Sequence, residues 1–246
     1  MFKKIAFALG VLGLLTGSLT GCTNTVRTNS DEMLSISRIN DFVTPGKTTI
    51  DEARELIGTP TITGNTVEGN KFVGFSVSGQ ESAGRHTKRI LVSALTIGIA
   101  ADNEFKNIQK NIYFVLDKNN VVIDMKSVGY AYIYDHSIFG DGSLCQRELT
   151  EEELNSTTNY PKEYIIDSWK KYILSEKPAD VVAYAQKEDV SLDEIDYDDF
   201  PYTENSFIAY AQKGAHKFFG NYTNEETFEV SGGRSTDGKN FYKLLQ

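Results

Sequence analysis

The fold of this chain is decided by residues 43–61, which read VTPGKTTIDEARELIGTPT. A Pro-Gly pair turns the chain, Thr49 can cap a helix, and Glu52, three residues later, can complete a capping box. The helix presents one apolar face and ends where Gly58 and Pro60 prevent its continuation. We therefore predict a turn that leads into a short amphipathic helix.

Weaker signals flank this helix on both sides. Residues 33–43 predict a shorter helix, and residues 70–78 alternate imperfectly, as a half-buried strand does. Residues 111–116 and 121–128 flank the sequence DKNN and predict a hairpin. The uncharged run at residues 90–101 is too short to span a membrane and reads as a buried strand or an apolar loop.

The pattern PGKTT, then Glu52, then LIGTP at residues 56–60 resembles the signature of the SmpA/OmlA family, which includes BamE. Asp117, the turn after it and Val121-Val122 resemble the closing hairpin of that family. The resemblance covers roughly residues 35–128 and implies two helices on an antiparallel three-stranded sheet. The family implies a non-catalytic outer-membrane lipoprotein that helps a larger machine insert β-barrel proteins or keeps the envelope intact. The motif positions, which we interpret as structural, are Gly46, Thr48, Thr49, Glu52, Gly58 and Pro60.

This chain departs from the family pattern in two ways. Residues 80–89 form a prominent insertion before the apolar run at 90–101. A second region also follows a Gly-rich linker near residues 140–143, and compact members of the family lack such a region. A direct transfer of the family's partner to this chain therefore does not follow from the resemblance.

The second region is predicted to be mainly helical. Residues 150–153 fit a capping box, and Pro161 and Pro178 can each start a helix with an inward apolar face. A last helix is expected over residues 207–218. The strands of a predicted terminal hairpin are residues 227–230 and 241–244.

The first twenty-two residues resemble a bacterial lipoprotein signal. A positive start is followed by an apolar run at residues 5–15, which is typical of a secretory signal. Leu19, Thr20 and Gly21 match the recognised positions of the lipobox, and Cys22 matches the cysteine that receives diacylglycerol. The resemblance implies cleavage before Cys22 and a body tethered to a membrane by its first residue. Because Thr23 is not aspartate, the sorting rule of Gram-negative bacteria favours the outer membrane.

Composition excludes some partner classes. The net charge is -9, and loss of Lys3 and Lys4 with the signal makes the remaining chain more negative. Such a charge argues against nucleic acid and against electrostatic docking on anionic lipid. With Cys22 lipidated, Cys145 has no cysteine partner, so we expect no internal disulfide.

Catalytic patterns are not evident in the sequence. The three histidines, His86, His136 and His216, belong to no metal-ligand pair or nucleophile motif. The acidic residues at 193–199 could offer oxygen ligands to calcium, but they lack the EF-hand glycine and terminal glutamate. We interpret them as a solvated loop and predict no enzyme activity, no cofactor and no metal site.

The resulting hypothesis is an α+β protein: a BamE-like domain of two helices on a small antiparallel sheet, followed by the mainly helical region. We expect a signal peptide (1–21), a flexible tether (22–32), the BamE-like domain (33–139) and the C-terminal region (148–246). The expected function is that of an envelope scaffold, bound to the membrane through its lipid and to outer-membrane assembly proteins. It would lie on the periplasmic face of the outer membrane, or on the outer face of the cell membrane in a Gram-positive host.

An alternative is a periplasmic ligand-binding or inhibitor lipoprotein that recognises a peptide or a glycan. The aromatic residues of the distal half could line a groove for such a ligand. The candidates are Tyr160, Tyr164, Trp169, Tyr184 and Tyr210.

Overall fold

The fold combines helices with one antiparallel sheet, as the sequence predicts. The computed structural model describes residues 33–78, 105–135, 143–196, 200, 207–228 and 238–244. In chain order, its elements are α1 (Ile36–Ile39), α2 (Ile50–Ile57), β1 (Ile62–Thr66), β2 (Lys71–Ser78), β3 (Phe105–Leu116), β4 (Val122–Asp135), β5 (Ser143–Glu148), α3 (Glu151–Asn155), α4 (Lys162–Glu176), α5 (Ala179–Glu188), α6 (Phe207–Phe219), β6 (Tyr222–Thr227) and a final 3₁₀ helix (Phe241–Leu244).

The six strands form a single sheet in the order β5-β4-β3-β2-β1-β6, and every neighbouring pair is antiparallel. Strands β1 to β5 follow one another along the chain, whereas β6 returns from the distal half to pair with β1. Strands from both halves of the sequence therefore belong to the same sheet. The α+β class is confirmed, but the BamE-like arrangement of two helices on a three-stranded sheet is not.

The predicted helix in residues 43–61 is confirmed in detail as α2. The Thr49 side chain accepts a hydrogen bond from the Glu52 amide, and the Glu52 carboxylate accepts one from the Thr49 amide, at 3.3 and 2.8 Å. Gly58 ends the helix with a φ of 107°, which favours glycine. The same reciprocal cap, predicted at residues 150–153, starts α3.

One face of the sheet, the helix-rich face, is covered by two apolar clusters. The first cluster packs α1, α2 and the 3₁₀ helix on β2, β3 and the start of β4. The second packs α4 and α5 on β3, β4 and β5, with Trp169 at its centre. Both helices begin after the prolines that the sequence indicated, Pro161 and Pro178.

The opposite face, the α6 face, curls around helix α6. Tyr210 of α6 donates a hydrogen bond to Gln146 on β5, at one edge of the sheet. The His216 ring, one and a half turns later, lies 4.8 Å from the ring of Tyr222 on β6, at the other edge. A helix of 13 residues can reach both edges of a six-stranded sheet only if the sheet bends around it.

Polar side chains help to dock α6. The Tyr113 hydroxyl donates a hydrogen bond to the Ala211 carbonyl at 2.6 Å. The side-chain amide of Asn111 donates one to the Tyr210 carbonyl at 3.4 Å. The helix approaches the sheet closely because Gly214 has no side chain. A Cβ placed there would lie 2.2 Å from the Tyr113 oxygen.

Several elements differ from the sequence-based expectation. β1 and β5 were not predicted; Ser143, which was expected to end a linker, is the first residue of β5. Only Ile36–Ile39 of the helix expected over residues 33–43 is helical. The apolar run at residues 90–101 lies outside the described residues. Among the described helices, none combines the length and apolar content needed to cross a membrane.

The predicted terminal hairpin is wrong. The last strand, β6, pairs with β1, and residues 241–244 form a 3₁₀ helix. Phe241 and Leu244 are three residues apart, so one 3₁₀ turn places both on the same side, where they are buried in the first cluster. In a β-strand, by contrast, successive side chains alternate between two faces, so Phe241 and Leu244 would point to opposite faces.

Replacing Gly214 with alanine should destabilise the fold. Alanine gains about 1 kcal/mol of helix propensity, but the overlap with Tyr113 should cost about 2–3 kcal/mol, so we expect a net loss. Urea unfolding measures the change, with Gln212→Ala in the same helix as a control that should stay within about 0.5 kcal/mol. A Gly214→Ala protein more stable than the parent would contradict the close approach of α6.

Candidate functional site

The first described residues form a buried strap across the sheet. We use the term strap for residues 33–35, all of which are at most 3% exposed. Met33 packs in the second apolar cluster, whereas Leu34 packs in the first. The strap therefore crosses the boundary between the two clusters, immediately after the segment that the sequence predicts to be a tether.

Lys110 holds the strap in place from β3. It lies between Ile108 of the second cluster and Ile112 of the first, and its side chain is buried. The Lys110 Nζ donates hydrogen bonds to the carbonyl oxygens of Leu34, at 2.7 Å, and Ser156, at 2.6 Å. One ammonium group thus connects the strap, the central strand and the segment after α3.

Two hydrogen bonds from main-chain amides, one in the strap and one just after it, complete this connection. The Met33 amide donates to the Thr157 carbonyl at 2.7 Å, and the Ser37 amide donates to Asn155 Oδ1 at 2.9 Å. The strap is consequently held against residues 155–157 along its length.

Burial makes the Lys110 charge costly. Desolvation lowers the pKa of Lys110 to about 7, and the nearby Glu153 carboxylate opposes this shift only in part. The group is therefore poised to change its charge near neutral pH, in a position where it is bonded to two carbonyl oxygens.

Next to Lys110, Arg147 and Glu153 form a buried ion pair. The two guanidinium nitrogens of Arg147 donate to the two carboxylate oxygens of Glu153 at 2.7 and 2.6 Å, and both side chains are about 5% exposed or less. Glu153 also accepts from the Thr150 amide and the Tyr164 hydroxyl. Burial alone would raise the pKa of Glu153, but these hydrogen bonds outweigh it and lower the pKa.

The predicted family-motif residues lie at the two ends of α2. The Gly46 amide donates to the Val122 carbonyl, and the Val122 amide donates to the Thr48 carbonyl, so the motif is tied to the start of β4. Thr49 and Glu52 form the helix cap described above. The remaining two, Gly58 and Pro60, end α2, and Pro60 is buried. These contacts belong to main-chain pairing and helix ends, and the structural role of the six motif positions stays a prediction.

The predicted lipobox residues, Leu19, Thr20, Gly21 and Cys22, lie outside the described residues. Two of the three histidines, His86 and His136, also lie outside them. The third histidine, His216, places its Nδ1 3.0 Å from the Gly220 carbonyl at the end of α6. In the described ranges, no group of three or more His, Cys, Asp or Glu side chains is arranged to hold a metal ion.

The five aromatic residues do not line a common groove. Tyr210 belongs to α6 and packs on the α6 face, whereas Trp169 is buried in the second cluster on the helix-rich face. Tyr184 packs edge to face on Phe200 in that cluster. Tyr160 and Tyr164 stack on each other at 4.3 Å, near the Glu153 carboxylate.

Sequence reasoning missed Lys110, Arg147 and the strap. The predicted strand started at Asn111, one residue too late to include Lys110. A longer strand would have placed Lys110 in the row of Ile108, Ile112 and Phe114, where a lone charge among buried residues signals a specific partner.

Comparisons with known proteins add no relatives: no family model, curated protein or solved structure matches the chain. The interpretation of the strap region therefore rests on its own geometry.

Removing one member of the buried ion pair should strongly destabilise the fold. Arg147→Met leaves the Glu153 carboxylate buried without its partner, and we expect a loss of about 3–5 kcal/mol in unfolding free energy. The double variant Arg147→Met/Glu153→Leu leaves no unpaired buried charge and should recover part of that loss, but not the part that comes from the Glu153 hydrogen bonds to the Thr150 amide and the Tyr164 hydroxyl. Chemical denaturation of both proteins tests this, and equal losses would show that the pair is not coupled.

The Lys110 pKa predicts how stability changes with pH. The unfolded chain holds the lysine proton up to a pH of about 10.4, whereas the folded chain releases it near pH 7. Between these values the unfolded state binds more protons, so the free energy of unfolding should rise with pH, by at most about 1.4 kcal/mol per unit. Lys110→Met should flatten this rise between pH 7 and 9, measured by urea unfolding at each pH. Parallel pH profiles of the parent and the variant would contradict it.

Proposed function

We propose that this chain is a membrane-tethered, non-catalytic interaction module of the bacterial envelope. It would be anchored through lipid on Cys22 and act by holding its folded body beside partner proteins. Two features support the proposal: the lipobox-like sequence that ends at Cys22, and the buried strap that begins at Met33.

The observation that carries the proposal is the short distance along the chain between the lipid site and the core. Ten residues lie between Cys22 and Met33, whose side chain is already buried and whose amide is bonded to Thr157. Such a segment reaches at most about 40 Å when fully extended. A lipid on Cys22 would therefore keep the folded body close to the membrane surface.

The family resemblance supports a role in outer-membrane β-barrel assembly or envelope integrity. Helices α1 and α2 come before the antiparallel strands and pack together on one face of the sheet, in the order that the SmpA/OmlA resemblance implies. The motif residues connect α2 to β4, as a structural signature would. The described residues form four further α-helices and three more strands than the family resemblance implies, so the identity of the partner is a question for experiment.

The competing proposal of a ligand-binding module draws less support. Its aromatic residues are divided between opposite faces of the sheet, and Trp169 and Tyr210 are at most 3% exposed. Tyr164 is the exposed member of that set, and its stacking partner Tyr160 is partly buried, as is Tyr184.

Lipid attachment is tested by metabolic labelling with a radioactive fatty acid. We expect label on the parent and on Cys145→Ser, and none on Cys22→Ser, because Cys145 is buried in the second cluster. Two or more acyl chains hold a protein firmly on a membrane, so only Cys22→Ser should lose membrane association or remain uncleaved. Membrane association of a cleaved Cys22→Ser protein would refute the tether.

The partner class is tested by cross-linking in intact cells followed by solubilisation of the envelope. The proposal expects a subunit of the β-barrel assembly machinery among the cross-linked proteins. Cys22→Ser is the control, since it should lose the same cross-link when it loses its place at the membrane. Recovery of no such subunit from the lipidated parent would rule out the assembly role.

A further inference from the structure

The two edges of the sheet differ in how they are protected. At the β6 edge, the pairing with β1 contains a bulge, in which Glu225 is the extra residue between Asn224 and Glu226. Glu225 and Glu226 are both exposed on this strand. Bulges and adjacent charges are the devices by which proteins prevent pairing at a sheet edge.

The β5 edge has no bulge, and its charged side chains are confined to its last two residues, Arg147 and Glu148. Its pairing with β4 runs without a register shift from Ser143 to Glu148. Residues 143–146 contain no charged side chain and no proline. In the part of the chain that the structure describes, no strand pairs with the outer side of β5.

The ladder defines which main-chain groups of β5 point outward. The Leu149 amide donates to the Gly129 carbonyl, so the odd-numbered residues of this continuous ladder face β4. The amides and carbonyls of Leu144 and Gln146 therefore point away from the sheet. The Glu148 carbonyl is already bonded to the Arg147 guanidinium, which limits the outward groups to the first part of the strand.

We propose that β5 pairs with β5 of a second copy of this chain, in antiparallel orientation about a twofold axis. Leu144 of each copy would face Gln146 of the other, giving two pairs that exchange hydrogen bonds in both directions. In this register Arg147 faces Ser143, so no like charges meet. The same pairing at β6 would bring the glutamates of two copies together, which disfavours that edge.

The location of the strap fits this dimer. The twofold axis of an antiparallel strand pair is perpendicular to the sheet, so the helix-rich faces of both copies lie on the same side. Met33 packs on that face, in the cluster that contains Cys145 of β5. Both tethers would leave the dimer on one side and could enter one membrane. The argument from the two tethers rests on the proposed function, whereas the strand pairing does not.

A short ladder gives a weak complex in solution. We expect a dissociation constant on the order of 10 µM, and tighter association where both copies are confined to one membrane. Sedimentation equilibrium of the full chain in density-matched detergent, across roughly 1–200 µM, measures the dissociation constant. A monomer over the whole range would overturn the proposal.

Two variants at one position provide a matched comparison. Gln146→Pro removes an outward amide that the β4 ladder does not use, and it should raise the dissociation constant by about tenfold or more. Gln146→Ala loses the same side-chain bond from Tyr210 but keeps the amide, so it should associate as the parent does. Equal association of the two variants would overturn the proposal.

Hydrogen exchange gives a second measurement that does not depend on the proline variant folding. Exchange at the Gln146 amide of the parent should slow as its concentration rises, while exchange at the Cys145 amide, which faces β4, should not change. A rate at Gln146 that is independent of concentration would overturn the dimer. A protein that carries the lipid label but stays monomeric would refute only the proposed dimer. A protein that dimerises but carries no lipid label would refute only the proposed anchor.

Discussion

A single buried ammonium group bonds two distant segments of the chain to the central strand of the sheet. The side chain of Lys110 lies where two apolar clusters meet, and its two hydrogen bonds bind the strap on one side and the segment after α3 on the other. Removing it would take this donor from the buried Leu34 carbonyl, at about 1–3 kcal/mol, and from the partly buried Ser156 carbonyl at a smaller cost. Keeping it charged costs desolvation, which the lowered pKa records. The strap position therefore depends on a balance of two large opposing terms.

The curled sheet restricts where the protein can make further contacts. Helix α6 fills the curved face, and α1 to α5 with the 3₁₀ helix cover the other, so the described sheet residues are buried on both sides over most of its area. The sheet itself can then meet another protein mainly along its edges. This is the reason that the difference between the bulged β6 and the regular β5 carries information about partners.

The sequence predicted the elements whose signals are local. The capping boxes of α2 and α3 are complete within four residues, and Pro161 and Pro178 start α4 and α5 as expected. Strands β1 and β5 were missed because ITGNT and SLCQRE show little apolar alternation, and they become strands through pairing with distant residues. The Arg147 partner of Glu153 was missed for the same reason, since its segment read as the end of a linker.

Burial of the strap decides what lipidation of Cys22 would accomplish. A tether that continued as flexible chain to α2 would let the body move far from its anchor, whereas here the chain is held in the core from Met33 onward. Confinement within about 40 Å of a membrane raises the local concentration of any partner in that membrane. Weak contacts, such as a short strand pairing, become sufficient under that condition. Position at the membrane, rather than a tight binding pocket, would then supply most of the specificity of this protein.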